Sequence, residues 1–172
     1  LERPDDYLRE ARQMRSPVIL AGAWDAVSRV RLEGLSGSGG ELEAERGPEG
    51  WKARVPQLGL LNTQRWEDGV GTPLRGLIAS AVEPADGKRL KRLGFDHPLG
   101  RITLTWPGGT EQVLTVGSVD EKTQEAYLTA SGEDLLFAVP SAPVQGLFAR
   151  RYAEFREPVL LSVPLGAIRG AV

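Results

Sequence analysis

The one histidine of the chain, His97, follows Asp96 in "LGFDHPLG", and an acid next to an imidazole invites a general-base reading. That chemistry needs a carboxylate to orient one ring nitrogen while the other faces a nucleophile, and such partners come from across a fold, not from the next residue. Pro98 biases His97 to extended geometry and Gly94 frees the chain before it, so the pair reads as a corner that leads into a strand. "GSGG" at 37–40 and "PGGT" at 107–110 have the glycines of a phosphate loop. Both lie between strand patterns with no helix after them, which makes them hairpin turns. Ser36 and Ser38 sit in the same turn, without the strand-to-helix elbow of a nucleophilic serine.

Glu41, Glu43 and Glu45 alternate along one strand face and could hold a divalent cation loosely, but without loop ligands a solvated edge is the expectation. Lys88, Arg89, Lys91 and Arg92 form a basic cluster, with Arg150 and Arg151 elsewhere, that reads first as a solvated helix face and otherwise as a contact for an acidic partner or an anionic surface. Among the tryptophans, Trp51 and Trp106 fall in phase with apolar strand positions, as core residues do. Trp66 stands beside Arg65, Glu67 and Asp68 in an irregular stretch; exposed, it would be the best contact anchor in the chain, although loop tryptophans more often fold back onto a sheet. The candidate partner contacts are thus Trp66, Arg65, Lys88, Arg89, Lys91 and Arg92; no catalytic, cofactor or metal residue is assigned.

Composition narrows the classes further. The 172 residues suit a single core, with 41% hydrophobic and 26% charged residues. The absence of cysteine removes disulfides and thiolate chemistry, and a single histidine excludes a multi-histidine zinc site. A net charge of −2 argues against nucleic acid as a partner. The longest apolar stretch, "PVILAGAW" at 17–24, is well short of the roughly 18 residues that span a bilayer.

The positioning elements follow from periodicity. A short helix is expected over 4–15, then a three-strand meander from "AVSRVRLEG", "ELEAER" and "WKARVP". "QLGLLNTQRWEDGVG" reads as a loop. "TPLRGLIASAVE" at 72–83 reads as a helix capped by Thr72 and Pro73, with Leu74, Leu77, Ile78, Ala81 and Val82 on one stripe. A short basic helix over "DGKRLKRLG" leads into four strands, "RITLTW", "EQVLTVG", "EAYLTA" and "LLFAVP", joined by turns too short for crossover helices. An amphipathic helix at 141–156 carries Val144, Leu147, Phe148, Tyr152 and Phe155, and "VLLSV" at 159–163 closes the pattern. "GAIRGAV" at the end echoes the opening of the first strand. The fold class is α+β: antiparallel β-meanders with two main amphipathic helices on one side of the sheet. Residues 1–26 read as an N-terminal extension following a missing anchor or signal, and 27–172 as a single domain.

The order of motifs carries a resemblance. Gly50-Trp51 followed by Pro56, "LGFDHP", "ITLTWPGGTEQVLTVGS", "AYLTASGEDLLFAVPS" and a helix ending in "FR" together resemble domain of unknown function family 4340 over roughly 27–163. Phe95 stands where that family's corner commonly has leucine. The resemblance implies a bacterial, membrane-anchored accessory module encoded near ABC transporter components of the gliding-motility type, and it brings no catalytic residues. The expected function is a non-enzymatic envelope-associated interaction or scaffold module. The alternative is a small-ligand or glycan-binding domain with a groove at Trp66. A protein partner in the cell envelope is expected, with no nucleic acid, no cofactor, and membrane contact only through an anchor outside this sequence.

Overall fold

The computed structural model describes residues 18–36 and 40–157. Three expected elements, the helix at 4–15, the strand at 159–163 and the echo at 166–172, lie outside the described residues. The chain forms one antiparallel sheet of nine strands: β1 Arg29–Leu35, β2 Gly40–Gly47, β3 Gly50–Val55, β4 Gly59–Leu60, β5 Ala81–Pro84, β6 Gly100–Thr105, β7 Glu111–Asp120, β8 Glu125–Ala130 and β9 Leu135–Pro140. Their spatial order is β4-β3-β2-β1-β6-β7-β8-β9-β5. Two four-strand meanders therefore stand back to back, joined where Val30 pairs with Leu104 and Leu32 with Ile102.

Period-2 alternation decides which face is wet. Leu32, Leu42, Trp51, Ile102, Leu114 and Leu128 are buried on one face. The other face presents charges on β1–β3 and threonines on β6–β8. On this face the three glutamates of β2 are not at an edge, which corrects the sequence expectation. β2 lies between β1 and β3, and cross-strand neighbours supply cations: Arg31 reaches Glu41 at 2.8 Å, Arg29 reaches Glu43 at 3.9 Å and Arg54 reaches Glu45 at 2.8 Å. Such cross-strand pairs contribute about 0.2–1 kcal/mol each and relieve the repulsion that adjacent acids would otherwise feel.

The apolar face is covered by helices. The segment read as a loop is helical: α1 Thr63–Trp66, a π-helical turn Glu67–Gly71 and α2 Thr72–Arg75 run without a break. Asn62 caps it by accepting from the Arg65 backbone N–H at 3.0 Å. The helix expected at 72–83 stops at Arg75. Gly76 ends it, Ile78 forms an isolated bridge with Val18, and Ala81–Pro84 pair with β9 as an edge strand, so the apolar residues meet a sheet edge instead of forming one stripe. α3 Gly87–Arg92 is the basic helix. The helix expected at 141–156 is divided into α4 Ser141–Phe148 and α5 Tyr152–Phe155. Arg151 is extended at the break and its backbone N–H donates to Glu154 at 3.0 Å, which starts the second helix. Val144, Leu147, Phe148, Tyr152 and Phe155 are buried all the same.

The two halves are laced together. α1 packs on α5 and α2 on α4, so the helices run antiparallel across the sheet. The chain after the first helical segment crosses to the far meander as β5, on the edge of β9. The chain after α5 does the reverse at β4, where Asn62 N–H donates to Phe155 O at 2.7 Å and Glu157 N–H to Leu60 O at 3.2 Å.

Residues ahead of β1 contribute to the same core. Ile19, Trp24 and Val27 are core residues, and residues 18–27 form a strap over the fold. Gln112, 5% exposed on a strand otherwise apolar on that side, accepts from Ala21 N–H and donates to Ile19 O, both at 2.9 Å. Trp106 Nε1 donates to Ala23 O at 3.1 Å. Replacing Gln112→Met leaves both strap groups without their buried partner, so a urea titration should show a loss of about 2 kcal/mol. Chymotrypsin should cut faster at Trp24 in the same variant; unchanged stability and cleavage would show that the strap is held by Ile19 and Trp24 packing alone.

Candidate functional site

The polar group with the most partners in the described structure is the carboxylate of Glu67, in the π-helical turn. Insertions of this kind widen a helix by one residue and re-aim the side chains around it. Glu67 Oε2 accepts from Trp24 Nε1 at 2.9 Å, and Oε1 from Trp51 Nε1 at 3.2 Å. Arg75 approaches Oε2 at 3.3 Å and Arg46 approaches Oε1 at 3.7 Å. The side chain keeps about a quarter of its exposure, 24%. Gly71 is required beneath it, because a Cβ there would lie 2.3 Å from Glu67 Oε2.

An aromatic column carries this carboxylate. Trp24 stacks on Trp51 with centroids 5.9 Å apart, Trp51 meets Trp66 at 5.3 Å, and Phe155 meets Trp66 edge-on at 5.3 Å. The Arg46 guanidinium lies over the Trp51 ring, 4.8 Å from its centroid. Above the column is a cleft of about 540 Å³ whose walls include Asp25, Arg46, Trp51, Gln64, Glu67 and Arg75. The Gly47–Gly50 turn forms its rim, and there Lys52 holds the exposed Glu49 carboxyl below the usual carboxylate range, by hydrogen bonding first and by charge second.

The structure redistributes the residues singled out in the sequence. Trp66 is fully buried, not an exposed anchor: it is the inward residue of α1, while Arg65 and Asp68 on either side are exposed. Its Nε1 has no acceptor among the described residues. The signal that locates it is the spacing Trp66, Val70, Leu74, one apolar residue every fourth position behind an Asn cap. Arg65 lies at a second cleft, of about 370 Å³, with Asp68, Gly69, Arg150, Glu154 and Phe155. Lys88, Arg89 and Arg92 line a third, remote from both and beside β5; Arg89 is bound to Glu83, and Lys91 meets Asp96 at 4.0 Å. His97 is exposed, with its N–H on Gly94 O at 3.0 Å, and Leu99 N–H donates to Val116 O at 2.8 Å, so this corner delivers the chain into β6. Neither Trp24 nor Arg46 nor Arg75 stood out in the sequence, because their convergence on Glu67 depends on the sheet and helix being in place.

A family model described as a domain of unknown function (DUF4340) matches residues 74–171, more than half of the chain. The chain belongs to that family. The matched span begins at Leu74, within α2, whereas the motif order in the sequence places the start near residue 27. In this DUF4340 member the described residues ahead of the match, 18–36 and 40–73, are not a separate body, since β1 pairs with β6 along five residues and the strap is bonded to Gln112 of β7. No curated protein and no solved structure matches the chain.

Chemically, the Glu67 cluster is a closed set: its carboxylate already meets two indole N–H groups and two guanidiniums. Glu67→Gln retains the shape but leaves Arg46 and Arg75 without their shared acid. A thermal melt followed by tryptophan fluorescence should show destabilisation of about 1.5–3 kcal/mol, the usual worth of hydrogen bonds to a charged group. An unchanged melt would mean that the aromatic column stands without the carboxylate.

Proposed function

We propose that this chain is a non-enzymatic interaction or scaffold module of the bacterial cell envelope, accessory to an ABC transporter-type complex and held there by an anchor outside this sequence. The envelope setting follows from the family resemblance. The observation that carries the interaction reading is the position of the exposed apolar side chains. Leu58 and Leu60 are 73% and 45% exposed beside β4, and Val18 and Ile78 are 58% and 52% exposed beside β5, so four of the five large exposed apolar groups among the described residues lie in pairs at the two ends of the sheet, with Leu99 standing alone before β6. Paired exposure of this kind marks contact surfaces more than scattered apolar residues do.

Contact through side chains fits these ends better than strand addition. The β4 edge already bonds to residues 155–157. At β5, Ala85 N–H donates to Asp134 O, so ladder alternation turns Val82 and Pro84 to the free side, and Pro84 has no N–H to offer.

A second reading, a small-ligand or glycan site, rests on the cleft above Trp51, whose planar polar walls suit hydroxyl groups. Trp51 itself is only 2% exposed, which leaves no aromatic platform for a sugar ring.

Crosslinking of the full-length protein in native membranes, followed by mass spectrometry, should recover ABC transporter subunits. Leu58→Asp with Leu60→Asp should abolish that recovery while leaving the melting temperature unchanged. Recovery of the protein alone from the unaltered chain would count against the module reading and favour the ligand site.

A further inference from the structure

α3 stands apart from the other helices. Thr115, Thr129, Leu136 and Glu83 face one another across β7, β8, β9 and β5, so they share the polar face of the sheet. Arg89 of α3 is bound to Glu83 in that row. Gly117 of β7 opens toward the same face, and a Cβ there would lie 2.5 Å from Leu93 O and 2.6 Å from the Phe95 ring. The helix and the corner after it therefore lie on the polar face, and Leu136 in the row beneath them is only 2% exposed.

The side chains of α3 are sorted by depth. Leu90 and Leu93 are half-buried, whereas Lys88, Lys91 and Arg92 are exposed, and the helical period puts these two sets on opposite sides. The acids lie beneath the helix or at its two ends. Glu83 is taken by Arg89, Asp86 caps the first turn by accepting from the Arg89 backbone N–H at 3.1 Å, and Asp96 lies past the last turn, 4.0 Å from Lys91. Neither Lys88 nor Arg92 meets a carboxylate among the described residues. The outer side of the helix thus carries three cations and no acid.

We infer that this outer side of α3 docks on the anionic headgroups of a lipid bilayer. The inference rests on the anchored-module reading above: it names the face that such a module turns to the membrane, a contact additional to the anchor. A flat headgroup layer meets the charges that stand furthest out, and on α3 those are cations. None of the five exposed large apolar residues among the described ones lies on α3, so an acidic peptide would find charge there without the apolar anchor around which protein interfaces are built. Each cation near an anionic leaflet favours contact about fivefold, so three give on the order of a hundredfold. That is too little to hold a free chain firmly, and enough to orient one that an anchor already keeps at the surface.

The test mixes the full chain with vesicles of phosphatidylglycerol and phosphatidylcholine in equal parts and measures the bound fraction by sedimentation. Binding is expected at low ionic strength, absent from pure phosphatidylcholine and lost at about 0.5 M salt, where charges are screened within a few ångströms. Lys88→Glu with Arg92→Glu should weaken it at least about tenfold, Lys88→Arg with Arg92→Lys should retain it, and Arg65→Gln with Arg150→Gln, in the second cleft, should leave it unchanged. All three variants should melt as the parent does, because the side chains concerned are exposed. Absence of phosphatidylglycerol-dependent binding, equal loss in the charge-reversed and the Arg65→Gln, Arg150→Gln chains, or saturable binding of an oligoglutamate peptide in place of the vesicles would each overturn the inference. If membrane crosslinking recovers transporter subunits while the vesicles are not bound, the headgroup contact falls and the module reading stands. If the vesicles are bound through α3 but no transporter subunit is recovered, the transporter reading falls and the contact stands.

Discussion

A single carboxylate sets the relation between four parts of this chain. Glu67 joins the strap through Trp24, β3 through Trp51, β2 through Arg46 and α2 through Arg75. A carboxylate three-quarters removed from water is unfavourable unless its oxygens are fully occupied, and here two indoles and two guanidiniums occupy them. The indole donors fix the positions of Trp24 and Trp51, and these in turn set where Trp66 and Phe155 stack. The aromatic column therefore has a polar end that specifies its register, where apolar packing alone would tolerate several arrangements.

The sheet solves a different problem. Its wet face has enough charge to repel itself, yet each glutamate of β2 has an arginine from β1 or β3 within reach. Its dry face is wide, and no single helix covers it. Two antiparallel helical segments do so: the first is continuous but widened by a π-helical turn at Glu67–Gly71, and the second is interrupted at Arg151. These irregularities fall where the helices carry their polar chemistry, with Glu67 turned toward the tryptophans and the Glu154 carboxylate capping α5.

The strands were legible because Val30, Leu32, Ile102 and Leu104 alternate with polar residues, and alternation has one structural meaning at that length. The 72–83 stretch misled because Leu74, Leu77, Ile78, Ala81 and Val82 have helical spacing, while pairing to β9, remote in sequence, decides the outcome. Periodicity holds no information about such a partner. Trp66 was misplaced for a related reason: its charged neighbours suggested a surface loop, although the fourfold spacing to Val70 and Leu74 was present. Of the candidate contacts, Arg65, Lys88, Lys91 and Arg92 are exposed and Arg89 is half-buried. The Glu67 cluster could not be read in advance, since its four partners come from positions 24, 46, 51 and 75 and nothing in their local sequence links them.

The crossing of β5 to the edge of β9, and of residues 155–157 to the edge of β4, has a temporal side. A chain made from its N-terminus presents β5 before its partner exists, because β5 ends at Pro84 and β9 begins at Leu135. The first meander in turn has an open edge until Phe155 and Glu157 emerge. The far meander has all its strands once Pro140 is made, whereas the near one waits for Glu157, and both closing pairs span long sequence separations, which slows their formation. Until β9 arrives, Pro84 at the waiting edge limits what else could add to it.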